Sequence, residues 1–447
     1  MIRIDNRCYF VGILVFVFYI SVAVHEIIIT SARPSDFGGQ LEFLNRSIVA
    51  AELNAKQYCR APRVAILISS DVEQFIQLYW DVEYVNPGDW VGLFKQDPQG
   101  GSEIFPIYTV KVQNATGFSP TNITLSRRSM VQFASQCLGF WIAYFTDDGT
   151  AAAVSCLKTN PTWMEDIRQH LQNVPIKQLF VPGTHDSGAY ITLEMLSTMN
   201  VVDRYVYTQD EDIIHQLLYG IRYLDLRISS NTHLEERWWL NHGVVRIQPL
   251  RVIFDDIKLF LRNTKEIVIV DFHGFPVGFK ENPQVHRDFV DYVKSELSEW
   301  MAPPNWAATC GQLWDMNKTL VVSYNHDETV KEYPTVLWSP VVQKWGNVQD
   351  LNQLKDFLTK VIESRPNYSW AAMAQFTPTL WTILTYQTIG LREMASNVNI
   401  NVTNWFRGVW GKSCNIVAVD FFRGTDIVEA AIEWNVRKST KHICDIR

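Results

Sequence analysis

The sequence predicts an α/β chain in which a (β/α) barrel, residues 160–447, follows a smaller all-β sandwich, residues 37–157. Three observations point there. The first part is made of short apolar or alternating runs separated by turn clusters. Beyond Asn160-Pro161, strands alternate with amphipathic helical patterns. Several of those later strands end on His, Asp or Arg, and the strand ends are where a parallel barrel carries its chemistry.

Residues 1–32 read as a signal peptide or signal anchor. Arg3 and Arg7 precede a nearly uncharged run from Cys8 to Val24. Ser21-Val22-Ala23 and Ala32 offer small-residue cleavage sites, and the run is short for a bilayer span, so cleavage is favoured. A secreted protein, or one on the extracellular face of the membrane, is expected. Acceptor sequons at Asn45, Asn114, Asn122, Asn317, Asn367 and Asn401 agree with a glycoprotein. With Cys8 removed, Cys59, Cys137, Cys156, Cys310, Cys414 and Cys444 suffice for three disulfides in an oxidising compartment. Three of them precede residue 160 and three follow it, so full pairing would tie the two parts together.

Apolar content of 47% and charged content of 19% describe a globular chain with ample core. A net charge of −7 excludes the basic footprint of a nucleic-acid partner. It also gives no long-range pull toward anionic membranes, so membrane contact must be local and apolar. The 16 Trp and 17 Tyr suit such contact, although rings of that size chiefly pack cores.

In the first part, strands are expected at 64–68, 75–80, 90–94 and 140–145, with turns at Asn86-Pro87-Gly88-Asp89 and Asp147-Asp148-Gly149. In the second, strands are expected at 179–181, 221–228, 238–241, 267–270, 319–323, 371–376 and 415–421. Helical patterns cover 210–218, 249–261, 284–300 and 350–363. Roughly eight strands over about 290 residues suit a barrel better than an open sheet.

The strand ends form a set. His185 and Asp186 follow the first. Alternation in Tyr223-Leu224-Asp225-Leu226-Arg227 puts Asp225 and Arg227 on one face. His242, Asp271 with His273, Tyr324, and Asp420 with Arg423 end later strands. Taken singly, each is explained by a cap, a loop hydrogen bond or an ion pair. Together they make an acid–base site. Two imidazoles can divide general base and general acid, and a permanently charged guanidinium suits a phosphate or carboxylate. Arg227 among the carboxylates would repel a cation, which favours a site with no metal and no cofactor.

Pro182-Gly183-Thr184-His185-Asp186-Ser187-Gly188, Tyr223-Leu224-Asp225-Leu226-Arg227, Asn241-His242-Gly243 and Glu266-Ile267-Val268-Ile269-Val270-Asp271-Phe272 resemble the X-domain of phosphatidylinositol-specific phospholipase C. The form is that of the bacterial enzymes and of the X-domain-containing proteins of animals. Gln375-Phe376-Thr377-Pro378 and Val417-Ala418-Val419-Asp420-Phe421 resemble later segments of the latter, so the likeness covers about 163 to 430. It implies a distorted TIM-type (β/α)8 barrel and a phosphoric diester hydrolase.

By that resemblance His185 is the general base for the inositol 2-hydroxyl, and His242 is the acid for the diacylglycerol oxygen. Arg227 stabilises the phosphoryl oxygens. Asp186 and Asp225 orient His242 and Arg227 or support proton transfer, and Asp420 orients His185. Tyr324, His273, Trp345 and Asn347 are candidates for the inositol pocket. The large calcium-dependent enzymes carry acidic ligands where this chain has Arg227 and His273, so calcium is not expected. The implied partner is phosphatidylinositol or a glycosylphosphatidylinositol-type lipid, met at a membrane surface. Gly88 to Phe94 and Phe140 to Tyr144 resemble SKICH-type modules, which implies a targeting role. Two alternatives stand beside this: a catalytically weak lipid- or glycan-binding protein, and a metal-dependent glycerophosphodiesterase-type barrel.

Overall fold

The computed structural model describes residues 62–440, except 102, 126–130, 192–199, 201–202, 281 and 386–389. The expected leader, Asn45, Cys59 and Cys444 lie outside the described residues.

Seven strands open the described chain: β1 (Arg63–Ile68), β2 (Phe75–Asp81), β3 (Trp90–Phe94), β4 (Tyr108–Lys111), β5 (Thr116–Thr124), β6 (Cys137–Phe145) and β7 (Ala151–Lys158). They form two antiparallel sheets, ordered β1-β2-β5 and β4-β3-β6-β7. Alternating side chains of both sheets, among them Ile76, Leu78, Val91, Leu93 and Ile142, meet in one apolar core. The two turn clusters are tied together by Asp89. It accepts hydrogen bonds from Asn86 N (2.8 Å), Asp147 N (3.0 Å) and the Tyr144 hydroxyl (2.6 Å).

Cys137 and Cys156 pair across β6 and β7. Cys310 and Cys414 are free thiols, so the expected set of three bridges does not form among the described residues. Both sit in the apolar interior, where burial pushes each thiol up to about 12 and keeps it unreactive.

The remaining strands are β8 (Val181–Thr184), β9 (Tyr223–Ser230), β10 (Trp238–His242), β11 (Val245–Pro249), β12 (Val268–Val277), β13 (Leu320–Tyr324), β14 (Val342–Trp345), β15 (Trp370–Met373) and β16 (Ile416–Val419). Parallel pairing runs β13-β12-β9-β8-β16-β15-β14, a sheet curled toward closure. The expected eightfold closed barrel is therefore corrected among the described residues to seven parallel strands with a seam. Between β13 and β14 the backbone contact is an isolated bridge, Ser323 to Trp338. The short run 238–241 is not a barrel strand. It is β10, which pairs antiparallel with β9 and with β11, because β9 outruns the barrel and Gly243 (φ 55°) reverses the chain.

Helices cover the outside. Leu250–Asn263 buries Ile253, Phe254, Ile257 and Phe260, as its period predicts. Leu391–Arg407 and Ile427–Thr440 were not predicted. The first is rich in Asn, a poor helix former that dilutes the apolar stripe. Asn114, Asn122, Asn317 and Asn367 are exposed, while Asn401 is half-buried on that helix.

At the N-terminal edge of the barrel Arg222 and Glu266 are both fully buried and paired at 2.7 Å. Glu266 also accepts from Met164 N and Glu165 N, and Arg222 donates to the carbonyls of Leu217, Ile221, Asn160 and Pro161. This pair fastens the Asn160-Pro161 junction to β9 and β12. A satisfied buried pair contributes little over an apolar substitute, but half of one is costly. Glu266→Ala should lower stability by about 3–5 kcal/mol in urea unfolding, and the double variant Arg222→Met/Glu266→Leu should recover most of it. A double variant no better than the single one would contradict this.

Candidate active site

The C-terminal ends of β8, β9, β10, β14 and β16 bring the predicted groups together. Gly183 allows it locally: a Cβ there would fall 2.6 Å from the Tyr223 ring, so the glycine lets β8 press against β9. The chain then turns. His185 N still donates to Val419 O (3.0 Å), and Asp186 takes a left-handed φ of 38°. That turn is pinned by Asp186 N donating to Asp225 Oδ2 (3.0 Å) and by the Thr208 hydroxyl donating to Asp186 O (2.9 Å). Gln209, fully buried, donates from Nε2 to both His185 O (3.1 Å) and Val419 O (2.9 Å).

The two histidines differ in what their Nδ1 faces. His185 Nδ1 lies 2.7 Å from Asp420 Oδ1, and its Nε2 lies 2.9 Å from Arg227 Nη2. A guanidinium only donates, so Nε2 accepts and the proton sits on Nδ1, toward Asp420. His242 Nδ1 lies 2.8 Å from Val206 O, a carbonyl, so its proton sits there and Nε2 faces the site. That Nε2 is 4.0 Å from Asp186 Oδ2. The two imidazole centroids are 6.3 Å apart and the rings nearly perpendicular.

Arg227 stands between them. It reaches Asp225 Oδ2 from Nη2 (3.2 Å) and Asp186 Oδ2 from Nε (3.8 Å), and its guanidinium lies 5.3 Å from the centre of the Trp345 ring. Trp345 also meets His185 edge-on at 5.0 Å and donates from Nε1 to the Thr377 hydroxyl.

Burial and charge then sort the groups. Burial lifts the Asp186 carboxyl to about 7, with Arg227 opposing and Asp225 adding. Neither Asp186 oxygen has a hydrogen-bond partner among the described residues. For Asp225 burial works the same way but loses to Arg227, His185 and His273, and the carboxyl is held at about 2. Burial opposes the charge on Arg227, but Asp225 and Asp186 overcome it and raise its value further. Burial, then the charges of His185 and Arg227, push His242 down to about 4.

His273 lies beside this centre, with Nδ1 3.2 Å from Asp271 Oδ2. Asp271 in turn accepts from the Tyr223 and Ser323 hydroxyls at 2.8 and 2.7 Å. Gln343 of β14 donates to Tyr223 Oη (3.1 Å), and Val341 N donates to Ser323 Oγ (3.1 Å). These bonds span the seam that the backbone ladder leaves between β13 and β14.

Tyr324 does not belong to the pocket. Ser323 points inward to Asp271, so the pleat turns Tyr324 outward, where it is fully buried among Phe272, Phe275 and Phe289 and bonded to His286 Nδ1 (2.7 Å). Asn347 is exposed in a left-handed turn beyond β14 and makes no described contact with these groups. Thr208, Gln209, Tyr223 and Gln343 were missed, because each acts through partners far away in sequence. A divalent ion does not fit this donor set: to sit between Asp186 and Asp225 it would have to displace Arg227.

No family model matches the chain. Among curated proteins it is 27% identical over 306 residues to PI-PLC X domain-containing protein 1 of Homo sapiens, covering 63% of this chain and 94% of that protein. The chain is similar to the PI-PLC X domain-containing proteins. Protein 2 of Mus musculus and protein 3 of Homo sapiens are each 26% identical, over 62% and 61% of this chain and 88% and 92% of their own lengths. Among solved structures, the F249X mutant of phosphatidylinositol-specific phospholipase C from Staphylococcus aureus aligns with a TM-score of 0.48 at 15% identity, covering 62% of this chain and 97% of that one.

Asp186 gives a stability test. Its folded value lies above that of a free carboxyl, so its favourable contribution is full at low pH and is lost as pH rises through about 7. Asp186→Asn removes a charge that burial penalises. It should stabilise the protein near pH 8 by on the order of 1 kcal/mol, and by much less near pH 5. Melting temperatures at the two pH values check this, and an equal difference at both would contradict it.

Proposed function

We propose that this chain is a phosphodiesterase that cleaves phosphatidylinositol-type lipids by metal-independent acid–base catalysis. One observation carries the reading. Arg227 lies within hydrogen-bond reach of His185 Nε2, and His242 faces the same space from the other side with Asp186 behind it. A phosphodiester carries one negative charge, and Arg227 supplies a fork of donors for its non-bridging oxygens.

Such an anion competes with His185 for the guanidinium and frees the Nε2 lone pair. His185 then takes the proton of the inositol 2-hydroxyl as that oxygen attacks phosphorus. His242 returns a proton to the diacylglycerol oxygen as the P–O bond breaks, leaving a cyclic inositol phosphate. The proton for His242 is held at rest by Asp186, whose carboxyl stays largely protonated up to about 7 while the imidazole stays neutral. The similarity to PI-PLC X domain-containing proteins supports the same class of reaction. The expected leader and the exposed sequons support an extracellular lipid as the substrate.

Lipid substrates need a surface contact. Val244, 80% exposed, follows His242 in the β10–β11 turn, and Trp381, 73% exposed, lies in the segment after β15. Both belong to connections that leave the strand ends of the site, and an apolar side chain there can enter the interface beside the headgroup.

Turnover should be read as inositol phosphate released from phosphatidylinositol vesicles, with and without chelator. His185→Ala and His242→Ala should each lower kcat by roughly 100-fold or more, and chelator should change nothing. Activity should fall as pH rises through about 7, where Asp186 gives up its proton. Release that needs added calcium or magnesium would move the reading to a metal-dependent barrel. Vesicle binding that survives both substitutions, in a protein with no turnover, would favour a lipid receptor. Trp381→Ala should weaken vesicle binding by about tenfold, since roughly 1.4 kcal/mol corresponds to that factor, and should leave hydrolysis of a soluble inositol phosphodiester unchanged.

A further inference from the structure

Asp420 holds the Nδ1 proton of His185, and the residue after it is conformationally costly. Phe421 is left-handed (φ 46°, ψ 58°), a genuine outlier for a bulky side chain. Such a residue persists only where its surroundings over-determine it. Its N–H donates to Thr208 O (2.8 Å), on the segment that also holds Asp186. Asn399 donates from one Nδ2 to both Asp420 O (3.1 Å) and Phe421 O (3.2 Å). The Oδ1 of the same amide is buried with no partner among the described residues. A buried amide that forgoes half of its hydrogen bonding is kept for the other half.

A second support comes from outside. The guanidinium of Arg392 lies 4.5 Å from the centre of the Phe421 ring and is fixed by Asp210 and by Ser70 O (2.9 Å). The Ser70 hydroxyl, buried at the end of β1, returns a bond to Arg392 O (2.9 Å). Gly424 in the same turn would meet Ile68 O at 3.3 Å if it carried a Cβ.

We propose that Asn399 and Arg392 are positioning residues: they hold the left-handed turn at Phe421, and with it Asp420 against His185, and Ser70 ties that turn to the antiparallel sheets. The sheets thereby share in the acid–base site without touching it. This deepens the proposed phosphodiesterase reading and rests on it only where turnover is measured.

The test compares Asn399→Leu, Arg392→Lys and Ser70→Ala with the full wild-type chain. Asn399→Leu keeps the volume and removes the donor. Arg392→Lys keeps the charge for Asp210 and removes the flat face over Phe421. The first readout is the low-field His185 Nδ1 proton in NMR, assigned by its loss in Asp420→Asn. It reports the Asp420 contact with no need for turnover. Arg227, Asp186, Asp225 and His242, the other charges around His185, are untouched by these changes. The second readout is kcat against KM.

We expect the Nδ1 proton signal to weaken or vanish in Asn399→Leu, with kcat down roughly 10- to 100-fold and KM little changed. Smaller losses in the same direction are expected in Arg392→Lys and Ser70→Ala. If Asn399→Leu does not fold, those two variants carry the test. Folded variants with a wild-type Nδ1 signal and wild-type kcat would overturn the proposal. A wild type that releases no inositol phosphate removes the phosphodiesterase reading, while the proton signal still decides whether these residues set the Asp420–His185 contact.

Discussion

The charge balance of the site rests on one guanidinium. Asp225 is fully buried and ionised because Arg227 is 3.2 Å from it. Asp186, one step further from the same cation, is left near neutrality by burial. His185 points its lone pair toward Arg227 because a guanidinium has nothing to offer but protons. The two carboxyls thus take opposite protonation states in one small volume, and the position of Arg227 decides which takes which. A lysine would not serve, since a single ammonium cannot reach three partners along a flat fork.

That position is set by strand register. On the β8 side Gly183 pairs with Tyr223 and Thr184 with Leu224. On the β12 side Asp271 pairs with Asp225 and Gly274 with Arg227. The side-chain period of a strand is two, so a slip of one residue would turn Asp225 and Arg227 outward and bring Leu224 and Leu226 into the mouth. Gly274 opposite Arg227 leaves the long side chain room to lie across the strand. The register is in turn enforced by apolar burial on the outer face, where Leu224, Leu226 and Ile228 pack in the main core. The chemistry of the inner face therefore depends on ordinary packing on the outer one.

How much of this was legible in sequence follows from which interactions are local. His185 and Asp186 after Pro182-Gly183, the Asp225/Arg227 pair, and His242 at a strand end are short-range patterns, and they meet in space as read. Tyr324 shows the limit. Its strand and strand end read correctly, but the phase of the pleat does not, because a strand buried on both faces, with one Ser in it, gives too little alternation to read. The run 238–241 reads as a barrel strand because antiparallel pairing to β9 leaves no local mark. Asn399 is the extreme case. Within its helix it reads as one poor helix former among several, and its work is done on carbonyls more than twenty residues away.

The asymmetry of the two histidines supports the proposed division of roles without reference to chain order. His185 sets its Nδ1 against a carboxylate, so an imidazolium formed there at once faces a fixed negative charge. His242 sets its Nδ1 against the Val206 carbonyl, which fixes the ring but supplies no charge, and burial keeps that ring neutral down to about 4. In the reaction proposed above, the first would receive a proton and the second would resist one until an anion arrives. A phosphodiester entering beside Arg227 would do two things at once. It would draw the guanidinium off His185 Nε2 and expose the base, and it would bring negative charge to His242, which could then accept the proton held by Asp186. Base and acid would be armed by one event, the binding of the charge to be transferred. Arg227 covers the lone pair of His185, and burial, with the charges of His185 and Arg227, keeps a proton off His242 Nε2.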